Sequence, residues 1–456
     1  MNNSSETICG ISTPIGRGAI SIIRISGKDT IRIVEKIFTP REKLKKATGN
    51  SIVHGWIRNT ETKKKLDEVL LFIFKSPSSY TGEDMAEISA HGGIFIPKKI
   101  IQLLVDSGAR IAEKGEFTRR RFLNGKMSLL EAEALLNVIE AKTEKSLFIA
   151  EENLKGKLDK EIEKIKNGFL EIKTLIEAEL DFGESDILLF DTRELMRKIK
   201  NLKSKLKNMA ESYKKGKILV EGFKLAIVGK PNAGKSSLFN AILKEDRAIV
   251  TETPGTTRDL LEGTVDIGGY PVILHDMAGI RPSESKAERI GIDRALKMVK
   301  QSDGVLFLMD ASKTISKADR KIFEIITEKP FILVVNKSDL KNKIKKIPFT
   351  GKPVRVSAKK NSGIGKLNTA IIELIERTFP DNTEEGAICT TERQKERINQ
   401  AISCLNNGLS IIKEGKDLEL LAFDIDEAIV SLKKLTGEIT VEDILDNIFS
   451  KFCIGK

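Results

Sequence analysis

Phe223-Lys224-Leu225-Ala226-Ile227-Val228-Gly229-Lys230-Pro231-Asn232-Ala233-Gly234-Lys235-Ser236 is the stretch on which the fold turns. A buried-strand pattern feeds GxxxxGK[ST], and Ser237-Leu238-Phe239-Asn240-Ala241-Ile242-Leu243 continues it as a helix. The glycines let backbone N–H groups wrap the β- and γ-phosphates of a nucleotide at the helix N-terminus. Lys235 neutralises those phosphates, and the Ser236 hydroxyl is offered to magnesium. Asn232, Ala233, Gly234, Lys235, Ser236 and Ser237 are therefore the expected phosphate site.

Three further motifs follow in order. Pro271 to Leu274 reads as a strand closed by His275-Asp276-Met277-Ala278-Gly279, where Asp276 can hold magnesium through water and the Gly279 amide can face a γ-phosphate. The apolar run Phe331 to Val335 leads to Asn336-Lys337-Ser338-Asp339. Asp339 would accept two hydrogen bonds from guanine N1 and its exocyclic amine, which adenine cannot supply. Ser357-Ala358-Lys359, after Val354-Arg355-Val356, would back the base. A first switch segment is expected at Thr251, Glu252, Thr253, Pro254, Gly255, Thr256 and Thr257, with Thr257 a second magnesium ligand. Together these predict a GTP site. Ile280 stands where Ras-like enzymes carry the glutamine that orients water, so either hydrolysis is negligible or another residue supplies that function.

Outward from this segment the period changes. Ser128-Leu129-Leu130-Glu131 is a capping box opening a helix with Leu129, Ala132, Leu136 and Ile139 on one face. Leu158, Ile162, Ile165, Phe169, Ile172, Ile176 and Leu180 mark a second helix. Leu195, Ile199, Leu202, Leu206 and Met209 mark a third, expected to stop at Gly216. Helical spacing returns after Pro380 at Ile398, Ile402, Leu405, Ala428, Leu432 and Leu435. The economical arrangement is one helical domain in two separated stretches with the nucleotide domain inserted. Residues 1–126 read as mixed α/β, with a strand ending in a turn over Ala19 to Gly27.

At 456 residues a length prior suggests about three domains. The 40% hydrophobic and 31% charged composition fits a soluble globular chain. No apolar run is long enough to span a membrane, and Met1 to Glu6 lacks a signal-peptide pattern, which makes the cytoplasm the default expectation. Cys9, Cys389, Cys404 and Cys453 form no CxxC pair, which argues against a disulfide framework or structural zinc. Net charge is +12, and the first 126 residues hold 22 basic against 13 acidic groups, which favours a polyanionic partner such as RNA.

Several short motifs give the chain a resemblance. They are Gly16-Arg17-Gly18 with Arg24-Ile25-Ser26-Gly27, Ser79-Tyr80-Thr81-Gly82-Glu83-Asp84 with His91-Gly92-Gly93, Gly115-Glu116-Phe117-Thr118-Arg119-Arg120, Phe122-Leu123-Asn124-Gly125-Lys126 and the terminal Cys453-Ile454-Gly455-Lys456. With them the chain resembles, over essentially its whole length, the bacterial tRNA-modification GTPase family MnmE, also called TrmE. The resemblance implies an α/β plus all-α fold, with a Ras-like P-loop G domain inserted in a discontinuous helical bundle behind an α/β folate-binding domain. The implied boundaries are 1–126 for the tetrahydrofolate-binding and dimerising domain, 127–216 and 381–456 for the helical domain, and 217–380 for the G domain. It also implies a homodimer that joins the FAD-dependent protein MnmG (GidA) in a heterotetramer. Together they would place an aminomethyl-type group, such as carboxymethylaminomethyl, on C5 of the wobble uridine (position 34) of certain tRNAs. The one-carbon unit would come from 5-formyl- or 5,10-methylene-tetrahydrofolate.

The resemblance further places folate contacts on Arg24, Glu87, Lys126 and Lys456, with Cys453 acting near them from a flexible tail. It implies potassium activation through Asn232 and the oxygens of Thr251, Thr253 and Thr256, and it assigns the water-positioning role to Glu288. Two positions depart from the family: Met277 replaces a threonine of the second switch, and Pro254 stiffens the potassium loop by fixing φ. The competing expectation is an RNA-binding GTPase switch in ribosome assembly, which would need neither the N-terminal motifs nor the Cys-Ile-Gly-Lys tail.

Overall fold

The computed structural model describes residues 6–46, 50–182, 191–245, 248–249, 261–276, 296–379, 387–415 and 417–456. The chain divides into two compact units, Met1–Leu136 with Lys433–Lys456, and Asn137–Leu432.

The first unit is built on a seven-stranded sheet. Its strands are β1 (Ile8–Ile11), β2 (Ile20–Ser26), β3 (Phe38–Thr39), β4 (Ser51–Arg58), β5 (Lys65–Phe74), β6 (Met85–His91) and β7 (Arg110–Ile111), in the order β3-β4-β5-β6-β2-β1-β7. All pair antiparallel except β1 with β7. Side chains alternate across a strand, so Ile23 and Ile25, Val69, Leu71 and Ile73, and Ile88 fall on one buried face. The helices α1 (Thr30–Ile37), α2 (Arg41–Lys45) and α3 (Phe95–Asp106) add Ile33, Val34, Ile37, Leu44, Ile100, Leu103 and Leu104 to that core. Each such side chain contributes about 1.5–3 kcal/mol by leaving water. The same alternation sends Arg24 and Glu87 to the opposite face, directly across from each other in the β2–β6 register.

Helix α4 (Glu116–Leu123) and helix α5 (Leu129–Glu140) follow. The expected capping box is present: the Glu131 amide donates to Ser128 Oγ at 3.0 Å, and the Ser128 amide to Glu131 Oε2 at 2.9 Å. Leu129 and Ala132 pack with Leu445, Ile448 and Phe449 of the helix Glu442–Phe449 and with Phe452, which seats the C-terminal segment on this unit. Ile139, expected on the apolar face of α5, is 45% exposed.

The second unit combines helices with a second sheet. Helices α6 (Glu144–Leu154), α7 (Lys157–Phe182) and α8 (Thr192–Glu221) precede the sheet, and the helices Glu392–Glu414 and Leu418–Thr436 follow it. Contacts join the two stretches: Asn153 Nδ2 donates to the Ile388 carbonyl at 2.9 Å, Asn137 Nδ2 to Thr390 Oγ1 at 3.1 Å, and Lys173 pairs with Asp426 at 2.6 Å. The helical bundle is therefore discontinuous in sequence, with the G domain inserted. The expected stripes of α7 and α8 are buried except Leu180, 42% exposed near the end of α7.

One boundary is corrected. Helix α8 does not stop at Gly216; it continues to Glu221 and ends at Gly222, whose φ is 95°. Gly216 sits mid-helix because the Cys389 carbonyl oxygen lies 2.0 Å from where a Cβ would stand. Close approach, rather than helix termination, explains that glycine.

The inserted sheet has strands β8 (Phe223–Gly229), β9 (Ala248–Ile249), β10 (Leu261–Ile267), β11 (Tyr270–Asp276), β12 (Gly304–Asp310), β13 (Phe331–Asn336) and β14 (Val354–Arg355). Their order is β14-β13-β12-β8-β11-β10-β9, parallel from β14 to β11 and antiparallel beyond. Helix α9 (Lys235–Glu245) and the helix Ile364–Thr378 cover one face. The other face packs against Val299, Ile326, Phe323 and Phe349. Coverage on both faces explains the near-continuous apolar runs of β8, β12 and β13. Among the described residues no helix is long and apolar enough to cross a membrane.

Candidate functional site

In open α/β sheets ligands bind beyond the carboxyl ends of the strands, and the phosphate loop and the base motif leave from the ends of β8 and β13. Gly234 opens α9 with φ of 94°, and a Cβ there would stand 2.3 Å from Asn336 Nδ2. Only glycine permits both that backbone angle and that approach. Asn232 also adopts the left-handed conformation, φ 63°, with its side chain exposed.

The base motif holds the phosphate loop from behind. Asn336 is buried; its Nδ2 donates to the Ala233 carbonyl at 3.0 Å, and its Oδ1 accepts from the Ala358 amide at 3.1 Å. A single side chain thus ties the phosphate loop to the base-backing loop. Lys337 Nζ donates to the Asn232 carbonyl at 2.7 Å and pairs with Asp310 at 2.8 Å. Burial pushes the Asp310 carboxyl up, but hydrogen bonds from Lys337 and Ser312 outweigh it and leave the group below the usual carboxylate range.

Asp339 Oδ1 accepts from Ser357 Oγ at 2.6 Å, and the Ser338 amide donates to the Val356 carbonyl at 3.0 Å. The Ser357 hydroxyl chiefly, assisted by Lys360 and Lys359, holds Asp339 below its ordinary value. An ionised carboxylate only accepts hydrogen bonds, which suits a ligand edge that presents N–H groups. Lys235 Nζ reaches back to the carbonyls of Gly229 and Lys230, both at 3.0 Å. Ser236 and Ser237 lie in the first turn of α9.

Thr251, Glu252, Thr253, Pro254, Gly255, Thr256 and Thr257 lie outside the described residues, as do Met277, Ala278, Gly279, Ile280 and Glu288. Of Asp276 only the backbone is described, at the end of β11.

In the first unit, Arg24 Nε donates to Glu87 Oε1 at 2.7 Å, and Arg24 Nη1 to the Gly455 carbonyl at 3.2 Å. Two guanidinium groups lie over the Tyr80 ring, Arg24 at 5.3 Å and Arg121 at 4.9 Å from its centre, and the Tyr80 hydroxyl is 3.0 Å from Thr118 Oγ1. Burial, then the charge of Arg24, holds the Lys456 amine below its ordinary value, with Cys453 opposing. Arg24, Glu87 and Lys456 are thus gathered. Lys126 lies in the neighbouring turn, its Cε 3.4 Å from where a Cβ of Gly82 would stand.

The tail is corrected from flexible to anchored. Gly115 donates to the Cys453 carbonyl at 3.3 Å, Lys114 bridges Ile454, and Ser12 Oγ donates to the Gly455 carbonyl at 3.0 Å. Gly455 has φ of 90°, and a Cβ would meet the Ile11 carbonyl oxygen at 2.4 Å. These backbone bonds fix where the tail lies and leave the Cys453 side chain exposed.

Three contributors escaped the sequence reading. Asp310, a lone carboxylate closing an otherwise apolar strand, carried a faint signal. Tyr80 was quoted in a motif without a role. Asp319 pairs with Lys230 of the phosphate loop at 2.6 Å while capping the helix Lys317–Ile326; its partner is 89 residues distant, so no local pattern marks it.

The family described as GTP-binding protein TrmE N-terminus matches residues 7–126, and the MnmE helical domain family matches residues 129–453. The chain is similar to the tRNA modification GTPase MnmE of Fervidobacterium nodosum, 42% identical over 100% of this chain and 98% of that protein. The same enzyme of Thermotoga petrophila is 40% identical over 99% of this chain and 100% of its own length. That of Thermoanaerobacter pseudethanolicus is 39% identical over 99% of each. Coverage of this extent, together with two family matches that run nearly end to end, means that the chain belongs to the MnmE family of tRNA modification GTPases.

Proposed function

We propose that this chain is a GTP hydrolase of tRNA modification, and that its reaction delivers a one-carbon unit toward C5 of the wobble uridine in company with an FAD-dependent partner of the MnmG (GidA) type. The full-length kinship to tRNA modification GTPases carries the reading. In hydrolysis, water attacks the γ-phosphorus and GDP leaves. Lys235 and the loop amides neutralise the phosphate charge, Ser236 and Thr257 serve magnesium, and Asp339 selects guanine. The resemblance to the family gives Glu288 the positioning of water, a task the apolar side chain of Ile280 cannot perform.

Potassium fits the donor set in part. The exposed amide of Asn232 offers a neutral oxygen beside the phosphate loop, and Thr251, Thr253 and Thr256 would complete the shell. Held by these oxygens, the cation would supply the positive charge that other GTPases take from an arginine finger. Replacing potassium by sodium at matched ionic strength is expected to slow turnover at least tenfold, a barrier change of about 1.4 kcal/mol. Equal rates would remove potassium from the mechanism.

The Arg24–Glu87–Lys456 cluster also fits a tetrahydrofolate. Glu87 uses Oε1 on Arg24, which leaves Oε2 to accept from pterin N–H groups, while Lys126 and Lys456 suit carboxylates. Bound there, the folate supplies the one-carbon unit. Residues 1–126 then form the folate-binding and dimerising domain, 127–221 and 381–456 the helical domain, and 222–380 the G domain, the first helical stretch ending where α8 ends. The protein acts in the cytoplasm as a homodimer, within a heterotetramer with the partner. Nucleoside analysis of tRNA from a deletion strain, with and without the gene restored, tests the function. A wobble uridine that remains fully modified in the deletion strain would overturn it. Loss of folate binding in Glu87→Ala, read by fluorescence, tests the cluster separately.

A further inference from the structure

Helix α8 has ten basic and three acidic residues. Its packing neighbours differ: α7 has five basic and seven acidic, and the helix Glu392–Glu414 four and three. The buried stripe of α8 runs through Leu195, Ile199, Leu202, Leu206, Met209 and Tyr213. Away from that stripe, Arg193, Lys200, Lys207 and Lys214 stand seven residues apart and are exposed. Seven residues rise about 10.5 Å and drift only about 20° around the axis, so the four form one ridge about 31 Å long. Lys203 flanks it on the turn after Lys200.

Salt bridges within the fold do not account for this ridge. Among the described residues Lys200, Lys203 and Lys214 have no acidic partner, and Lys207 has only Glu211 at 3.7 Å. Other lysines of the bundle are paired closely, as Lys164 with Glu161 and Lys166 with Glu163, both at 2.6 Å. A solvated helix face is stabilised by alternating signs, and a row of one sign gives that up. What a regular row of cations matches is a regular row of anions, and a nucleic-acid backbone is the polyanion of that shape.

We propose that this ridge of α8 is a docking surface for the phosphate backbone of tRNA. The proposal rests on the tRNA-modification reading above. Its contacts are to phosphate, so it holds the RNA without reading sequence. Binding of labelled tRNA to the full-length protein, by fluorescence anisotropy across a salt series, is the test. K200E/K207E/K214E should raise Kd at least tenfold at about 100 mM salt, and the slope of log K against log salt should fall by about three. K317E/K321E/K366E, the same charge change at exposed lysines of the G domain, should shift Kd less than about twofold. The neutral K200Q/K207Q/K214Q covers any misfolding of the reversed variant, with circular dichroism as the check, and should still lower the slope. Unchanged affinity and slope in the ridge variants, with wild type binding tRNA, would refute the ridge and spare the tRNA reading. Absence of tRNA binding by wild type would refute both. Ridge variants that bind tRNA normally but no longer co-elute with the FAD-dependent partner would reassign the surface to an acidic protein.

Discussion

Asn336 offers the sharpest test of how the G domain is held together. It is 2% exposed and bonds the Ala233 carbonyl through Nδ2 and the Ala358 amide through Oδ1. Asn336→Ala removes both bonds and leaves a buried carbonyl and an amide without partners. A typical net bond is worth about 0.5–1.5 kcal/mol, and a stranded buried group costs about 1–3 kcal/mol. Some relaxation of the loops brings the expected loss to roughly 2–4 kcal/mol. Asn336→Asp separates the two bonds, because the carboxylate still accepts from Ala358 but sets an oxygen against the Ala233 carbonyl. It should therefore be at least as damaging as alanine to the phosphate loop while keeping the base-backing loop in place. Because the two loops bracket the nucleotide, the lost preorganisation should appear in GTP affinity, with Kd rising roughly 30- to 1000-fold for a change of that size. Titration of nucleotide-free protein with a fluorescent GTP analogue measures it, and amide exchange at Ala358 distinguishes the two variants. GTP affinity within threefold of wild type in both variants would refute the coupling.

Asp339→Asn should weaken GTP by at least about tenfold and improve xanthosine triphosphate, whose C2 carbonyl accepts from the new amide; a competition titration with unchanged preference would exclude base reading by this residue. Gly455→Ala should cost about 1–3 kcal/mol through its positive φ and the 2.4 Å approach to the Ile11 carbonyl oxygen. It should unseat the tail and abolish tRNA modification while GTP hydrolysis continues, as nucleoside analysis and phosphate release would record. For Glu116, burial pushes the carboxyl up, but the Arg110 bond, the Glu113 amide and Arg120 outweigh it, so the folded value lies below the ordinary 4.5. Its contribution is therefore complete above pH 4.5 and is lost as pH falls through the lower folded value. Glu116→Gln should destabilise the first unit by about 2–4 kcal/mol at neutral pH, with the Tm difference closing in acid; a constant difference down to pH 3 would contradict this.

Legibility followed the range of each interaction. The phosphate loop, the base motif and the capping box at Ser128 were readable because each is a local geometry with few permitted residues. The stripes of α7 and α8 were readable because helical periodicity records which face is buried. Gly216 was misread as a stop because a glycine demanded by another backbone's approach looks the same in sequence as one that ends a helix.

The tail shows the same limit. Cys-Ile-Gly-Lys gave a family resemblance, yet nothing within four residues reveals that Gly455 must fit beneath Ile11 and Ser12 or that its carbonyl accepts from Arg24. The Arg24–Glu87 pair depended on strand register, and Tyr80 acquired two guanidinium neighbours only when two distant motifs met. Sequence by itself determined the chemistry of the loops, the faces of the helices and the division into nucleotide-binding and helical parts, because those follow from short-range backbone geometry and burial period. Tertiary structure alone decided which charges met and which backbone groups touched, because those contacts join residues tens to hundreds of positions apart and arise only once the cores have packed.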